Sequence, residues 1–358
     1  MLIALGILIL LASLVVCAAL TAMIRPIALR WGLVSHPRED RYGKKVVPLG
    51  GGIAILLAMV TMVLAGSVAI AFIGPRLGLE PKAFYARIHE LLWIVVAMAG
   101  GSGLGLWDDR KALSPYAKLV GQLVVAAIAV LLGAVRLKFF ISNDLVTGIG
   151  SILWIVLLMN IFNFLDNMDG LCAGVAAIVS SILLVAAARS GQILVGGLAL
   201  ATIGSLLGFL VQNLPPAKVF MGDAGSMLVG LLVAILSIRT TYYHQAASGP
   251  WYPVLMPMIA LAVPLYDFVT VMALRIWQGK NPLIGDMQHF SHRLKRRGLT
   301  DMQTALTVYL ATLCTGLGAV CLYQVSTTGA ILVGIQTILI LGIIAILETY
   351  TGPANGGR

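Results

Sequence analysis

The residues best suited to chemistry gather in Asn160–Gly170. There three carboxamides, Asn160, Asn163 and Asn167, stand beside two carboxylates, Asp166 and Asp169. Residues 152–159 before this stretch and 171–178 after it are apolar enough to lie in lipid. Polar groups set beside hydrocarbon are expensive, so they usually face a cavity and do work there. Read as a helix, the stretch puts Asn163 and Asn167 on one face and makes Asp166 and Asp169 i,i+3 neighbours. Carboxylates with carboxamides beside them suit a hard divalent cation or a nucleotide, since both want oxygen ligands and directional donors. A satisfied polar knot between helices is the plainer alternative.

Other groups suit the same partners. Asp108-Asp109-Arg110 closes an apolar run, and adjacent carboxylates repel unless one holds a proton or a cation binds. Where a phosphate arrives, one of the pair can be a general base or a metal partner, with Lys118 to balance the charge. A solvated helix end is the alternative there. In Phe220-Met221-Gly222-Asp223-Ala224-Gly225-Ser226, Asp223 sits among glycines just inside a helix start. Free backbone N–H groups there suit an anion while the carboxylate suits a metal. Phe220 offers an aromatic face to a base. Arg41 through Lys45, followed by Pro48 and Gly50-Gly51-Gly52, reads either as a phosphate-approaching loop or as a cationic anchor with a helix start. His289, His292 and Arg293 suit phosphate recognition, with Asp286 nearby; a basic helix on lipid headgroups is the alternative. Gly101 and Gly105 have the spacing of close helix packing rather than of a dinucleotide fingerprint. Asp267, in an apolar span, is set aside as structural.

The elements that must position these groups are membrane helices. Hydrophobic residues make up 59% of the 358 and charged residues only 11%, with a mean hydropathy of +0.98. A span needs about 20 apolar residues, and barrel-type alternation is absent. The reading is all-α: one polytopic membrane domain, 1–358, of about 10–11 transmembrane helices. Spans fall near 2–24, 50–73, 91–107, 117–135, 149–163, 171–188, 193–211, 221–241, 252–274, 304–323 and 328–348. The first is read as a retained span, not a cleaved signal. Pro253, Pro257 and Pro264 should bend or break the ninth. With the N-terminus outside and the C-terminus cytoplasmic, most of the 24 Lys and Arg fall on inner loops. The polar clusters fall there too, which the orientation rule does not require. The four cysteines form no disulfide or metal pattern. The net charge of +10 fits inner loops, anionic headgroups and anionic substrates rather than nucleic acid.

In sequence order, Pro48–Gly52, Leu106–Asp109, Asn163–Gly170, Phe220–Ser226 and His289–Leu294 resemble the motifs of the polyprenyl-phosphate N-acetylhexosamine-1-phosphate transferases (glycosyltransferase family 4). The chain is most similar to the WecA/TagO-like branch, which is related to MraY. MraY-like members carry three consecutive histidines in the last motif, where this chain has His289-Phe290-Ser291-His292-Arg293. The WecA-like branch usually has a further histidine at Ser291, and Pro-Arg at Pro48-Leu49.

The resemblance implies transfer of N-acetylglucosamine 1-phosphate, or a related N-acetylhexosamine 1-phosphate, from a UDP-sugar to polyprenyl (undecaprenyl) phosphate, releasing UMP. It implies a multi-pass protein of the inner (plasma) membrane with its site facing the cytoplasm, acting at the first membrane step of O-antigen, teichoic acid or related envelope polymers. It implies Mg²⁺, replaceable by Mn²⁺, held by Asp223 and Asp166. Asp108, Asp109, Asp166, Asp223, His289 and His292 would be catalytic. Lys45, Lys118, Asn163, Asp169, Asn213, Phe220, Gly222 and Arg293 would bind substrate, and the lipid tail would lie against the broken ninth span. A homodimer is allowed for. The rivals are an MraY-type transferase, a transporter or lipid flippase, a CDP-alcohol phosphotransferase and a membrane scaffold.

Overall fold

The computed structural model describes residues 1–35, 46–78, 80–137, 143–240, 242, 250–279 and 289–349. Among the described residues fourteen α-helices carry the architecture: α1 Leu2–Arg30, α2 Gly51–Ile73, α3 Pro81–Tyr85, α4 Ile88–Arg110, α5 Pro115–Ala127, α6 Asp144–Leu165, α7 Leu171–Arg189, α8 Ile193–Asn213, α9 Gly222–Arg239, α10 Met256–Ala260, α11 Ala262–Trp277, α12 Phe290–Arg296, α13 Asp301–Cys321 and α14 Thr327–Thr349. Ten helices among the described residues are long and apolar enough to cross a membrane. An eleventh span is possible by joining the pair Tyr252–Ala260 and Ala262–Trp277, which is bent by 64°. The protein is therefore all-α and polytopic, and the ninth span is broken as its prolines require. The break falls at Leu261, between the two helices.

The core is built around α9, where every residue from Ala224 to Ile238 is buried. A helix apolar all round belongs inside a bundle. Helices α4 and α6 pack along it, and α1, α7 and α8 form a second layer. Glycines set the closest approaches. A methyl at Gly105 would strike the carbonyl of Asp223, and one at Gly52 would strike the backbone at Ala224–Gly225. Small residues let backbones approach closely in lipid, where no water drives helices together. The spacing of Gly101 and Gly105 thus serves α4–α9 packing.

Two short strands, β1 (Val34–Ser35) and β2 (Val47–Pro48), pair antiparallel. Leu49 then bridges Phe220, Phe220 N–H donates to Pro48 O at 2.9 Å, and the N–H groups of Gly51 and Gly52 donate to Phe220 O and Met221 O at 3.0 and 3.1 Å. The Pro48–Gly52 run therefore clasps the entry to α9 and starts α2; its backbone is approached by protein.

Helix α6 stops at Leu165, so Asp166–Gly170 is a turn and not a continuing helix. This corrects the helical-face reading of Asn163 with Asn167 and of Asp166 with Asp169. Asn167 Nδ2 turns back to donate to Phe164 O at 2.8 Å. Gly170 has φ +75°, which starts α7 from a left-handed conformation that favours glycine.

Candidate active site

Four helix ends meet at one point. Close packing of α4 on α9 at Gly105 carries Asp108 and Asp109 to the N-terminus of α9. Helix α4 ends at Arg110, and Ser114 restarts the chain by accepting from Ala117 N–H at 3.2 Å, with Pro115 in the first turn of α5. That reversal returns Lys118 to Asp108. Its Nζ lies 2.8 Å from Asp108 Oδ2 and 2.6 Å from Asp223 Oδ2. It also donates to Asn163 Oδ1 at 2.9 Å. Asn163, two residues before the end of α6, donates through Nδ2 to Asp223 Oδ1 at 3.0 Å and to Ser226 Oγ at 2.9 Å.

The two adjacent aspartates do different work. Asp109 accepts from the backbone N–H groups of Asp223 (Oδ1, 2.9 Å) and Ala224 (Oδ2, 3.1 Å). It caps α9 from another helix, satisfying donors that a helix start leaves open. Gly222, at φ +69°, makes room for it. Asp108 instead turns to Lys118 and takes Leu113 N–H at 2.7 Å.

Oxygens of Asp108, Asp223 and Asn163 thus surround one cationic point, which the Lys118 ammonium holds. An all-oxygen donor set with two carboxylates fits a hard divalent cation. Among the described residues no three His, Cys, Asp or Glu side chains cluster as a complete metal cage. Asp166 is the half-buried C-cap of α6, three residues beyond Asn163.

A cavity of about 250 Å³ opens beside Lys118, Asn163, Gln122 and Asn160. Its other walls are apolar, among them Leu119, Leu153, Leu157, Phe268 and Met272. Gln122 and Asn160 bond each other reciprocally, Asn160 Nδ2 to Gln122 Oε1 at 2.7 Å and Gln122 Nε2 to Asn160 Oδ1 at 3.4 Å. The cavity is thus polar at one end and apolar along α5, α6 and α11.

The remaining residues singled out from the sequence brace the surroundings. Asn213 is buried; it accepts from Gly170 N–H at 3.0 Å and donates to Val219 O at 2.9 Å, so it ties two turns together. Asp169 Oδ2 accepts from Ala217 N–H at 2.9 Å. Phe220 packs against the Ala28, Leu33 and Leu49 cluster. His289 Nδ1 lies 2.9 Å from Asp267 Oδ2, and the ring stands edge-on to Phe164. Arg293 pairs with Glu348 at 2.9 Å. Ser291, where the related branch usually has histidine, donates to Asn167 Oδ1 at 2.6 Å. His292 is buried, and burial pushes its imidazole down to about 4, helped by the nearby His289, Lys295 and Arg296. Lys45 and Asp286 lie outside the described residues.

Sequence reasoning passed over Ser226, Gln122, Asp267 and Glu348 as site residues. Glu348 and Asp267 carried a usable signal, because an acid inside an apolar span is functional by default. Gln122 and Ser226 carried none beyond position.

The fold and site define a polytopic helical membrane protein with a caged ammonium at the mouth of an apolar cavity. The model of glycosyl transferase family 4 matches residues 91–241, which include Asp108, Asp109, Lys118, Asn163 and Asp223. A probable undecaprenyl-phosphate N-acetylglucosaminyl 1-phosphate transferase of Bacillus subtilis is 30% identical over 351 residues, 96% of this chain and 91% of the relative. A decaprenyl-phosphate N-acetylglucosaminephosphotransferase of Mycolicibacterium smegmatis is 28% identical over 319 residues, 81% of this chain and 75% of the relative. An undecaprenyl-phosphate alpha-N-acetylglucosaminyl 1-phosphate transferase of Salmonella typhi is 29% identical over 299 residues, 80% and 76%. The chain belongs to glycosyl transferase family 4.

Proposed function

We propose that this protein transfers N-acetylglucosamine 1-phosphate from its UDP-sugar to a polyprenyl phosphate, releasing UMP, at the first membrane step of envelope polysaccharide assembly. The observation that carries the reading is the Asp108–Lys118–Asp223–Asn163 centre at the polar end of an apolar cavity. The activities in the names of the three relatives support it.

The acceptor phosphate sits at the polar end, with its chain along the apolar walls beside α11. Lys118 donates to phosphate oxygens, and Asp108 takes any remaining proton from the acceptor. Asp109 is committed to the α9 backbone, so Asp108 is the member of the pair given this role. The acceptor oxygen attacks the sugar-bearing phosphorus. A P–O bond forms there, the P–O bond to the uridylyl phosphate breaks, and UMP leaves with the electron pair. The product is a polyprenyl diphosphate bearing the sugar. Asp223, beside Asp108 and Asn163, would hold magnesium or manganese, with Asp166 as the further ligand that the resemblance implies. Such an ion, when bound, neutralises charge on the diphosphate and on the leaving UMP. The rest of catalysis is positioning and charge stabilisation by the chain's own groups. His289 and His292, at the start of α12, would contact the sugar and phosphates, while Arg293 is held by Glu348 and Asp267.

The site belongs on the cytoplasmic side of the plasma membrane. Arg25 and Arg30 at the end of α1, and Arg110 and Lys111 at the end of α4, lie at the site's end of the bundle, as the positive-inside rule requires. The test is product analysis with a panel of UDP-sugars and polyprenyl phosphate. The reading expects lipid-dependent UMP release, fastest with UDP-N-acetylglucosamine. Absence of UMP release with every sugar would overturn it.

A further inference from the structure

Asp267 lies inside α11 and is 4% exposed. A buried carboxylate is tolerated only when its lone pairs are met. Its Oδ2 meets His289 Nδ1 at 2.9 Å, and its Oδ1 accepts from Phe290 N–H at 2.6 Å. The Arg293 guanidinium stands 3.9 Å from Oδ1 and is anchored on its other side by Glu348 of α14 at 2.9 Å. One carboxylate therefore holds both the ring of His289 and the first N–H of α12, while Arg293 sits between two acids from different spans. His289 is itself 3% exposed and leans edge-on against Phe164, the residue next to Asn163 and part of the cavity wall.

A carboxylate accepts only, so the proton of the His289–Asp267 contact sits on Nδ1. The opposite nitrogen, Nε2, is then the one presented to a partner. We propose that Asp267 is a positioning residue for phosphate transfer. It fixes His289 with Nδ1–H inward, so that the ring presents Nε2 to the donor substrate. This rests on the transferase reading above. Asparagine is a poor replacement: His289 and Phe290 meet different oxygens of Asp267, and an NH₂ group at either place would face a donor or turn the ring to the other tautomer.

The test is a double-mutant cycle with steady-state kinetics on purified protein, using UDP-N-acetylglucosamine and polyprenyl phosphate. Asp267→Asn is expected to lower kcat by about 10- to 100-fold, by analogy with the loss of a partner that orients a metal-bound imidazole, with the KM for the UDP-sugar changed little. In a His289→Ala background the same substitution is expected to change kcat by less than about twofold, because its effect passes through the missing ring. Full activity in Asp267→Asn would overturn the proposal, as would an equal loss in both backgrounds, which marks a purely structural role. Wild-type turnover in His289→Ala would instead remove His289 from the site, and the proposal with it. Loss in His289→Ala beside unchanged Asp267→Asn would leave the transferase reading standing and end this one. If Asp267→Asn elutes as aggregate, Asp267→Glu, which keeps the charge one methylene further out, carries the same cycle.

Discussion

Asp109 on α4 binds the backbone N–H of Asp223 at 2.9 Å and the next N–H at 3.1 Å, so one aspartate of the pair holds in place the helix that presents the site's other carboxylate. Removing a cap typically costs about 0.5–2 kcal/mol. Asp109→Ala should therefore lower the thermal unfolding midpoint in detergent, and Asp109→Asn, which keeps one acceptor oxygen, should lower it less. Asp108→Asn should lose turnover with a smaller change in midpoint. An Asp109→Ala protein as stable as wild type would contradict the capping role.

Gly222 lies at φ +69°, and a Cβ there would come 2.6 Å from Asp109 Oδ2. Gly222→Ala meets both a left-handed backbone, disfavoured by about 1–2 kcal/mol for a side-chain-bearing residue, and the displaced cap. Its unfolding midpoint should fall at least as far as that of Asp109→Asn. The same melting experiment decides it, and an unchanged midpoint would count against the α4–α9 clasp.

Lys118 fills the point on which Asp108, Asp223 and Asn163 converge. Lys118→Met leaves two carboxylates facing each other without their cation. Titration with Mg²⁺ or Mn²⁺ should then raise the unfolding midpoint more in the variant than in wild type. A variant indifferent to divalent ions would refute the cage as a cation site.

His292 is held at about 4, well below the ordinary 6.5. The unfolded chain takes up a proton near pH 6.5 that the folded chain refuses until about pH 4. Stability from the neutral ring is therefore full above pH 6.5 and is lost as pH falls through the window from 6.5 to 4. His292→Gln, which does not titrate, should show a flatter midpoint across that window. Parallel curves for the two proteins would contradict the shift.

The span count, the broken ninth span and the glycine-flanked start of α9 were legible because periodicity, proline and glycine act locally. The meeting of Asp108 with Lys118 was legible as charge balance, though the reversal at Ser114-Pro115 that achieves it was not. The gap between a span ending near 163 and one starting near 171 was legible, but the helical faces drawn through Asn163–Asp169 fail, because the chain turns after Leu165 and the left-handed Gly170 before α7 is held by Asn213 and Tyr309, which bond its N–H and C=O. Asn213 was singled out by resemblance alone, and its bonds to Gly170 N–H and Val219 O come from turns that no local pattern reveals. Asp267 was visible as an acid in an apolar span, but its partner His289 lies 22 residues further along the chain, and such pairing is a property of the tertiary fold alone.

The central claim is that the Asp108–Lys118–Asp223 centre performs lipid-dependent sugar-phosphate transfer. UMP release from UDP-N-acetylglucosamine, with and without polyprenyl phosphate, should be compared for wild type and for Asp223→Ala shown to be folded by monodisperse elution. The account predicts lipid-dependent UMP from wild type and none from the variant. Wild-type-like turnover by Asp223→Ala would contradict it.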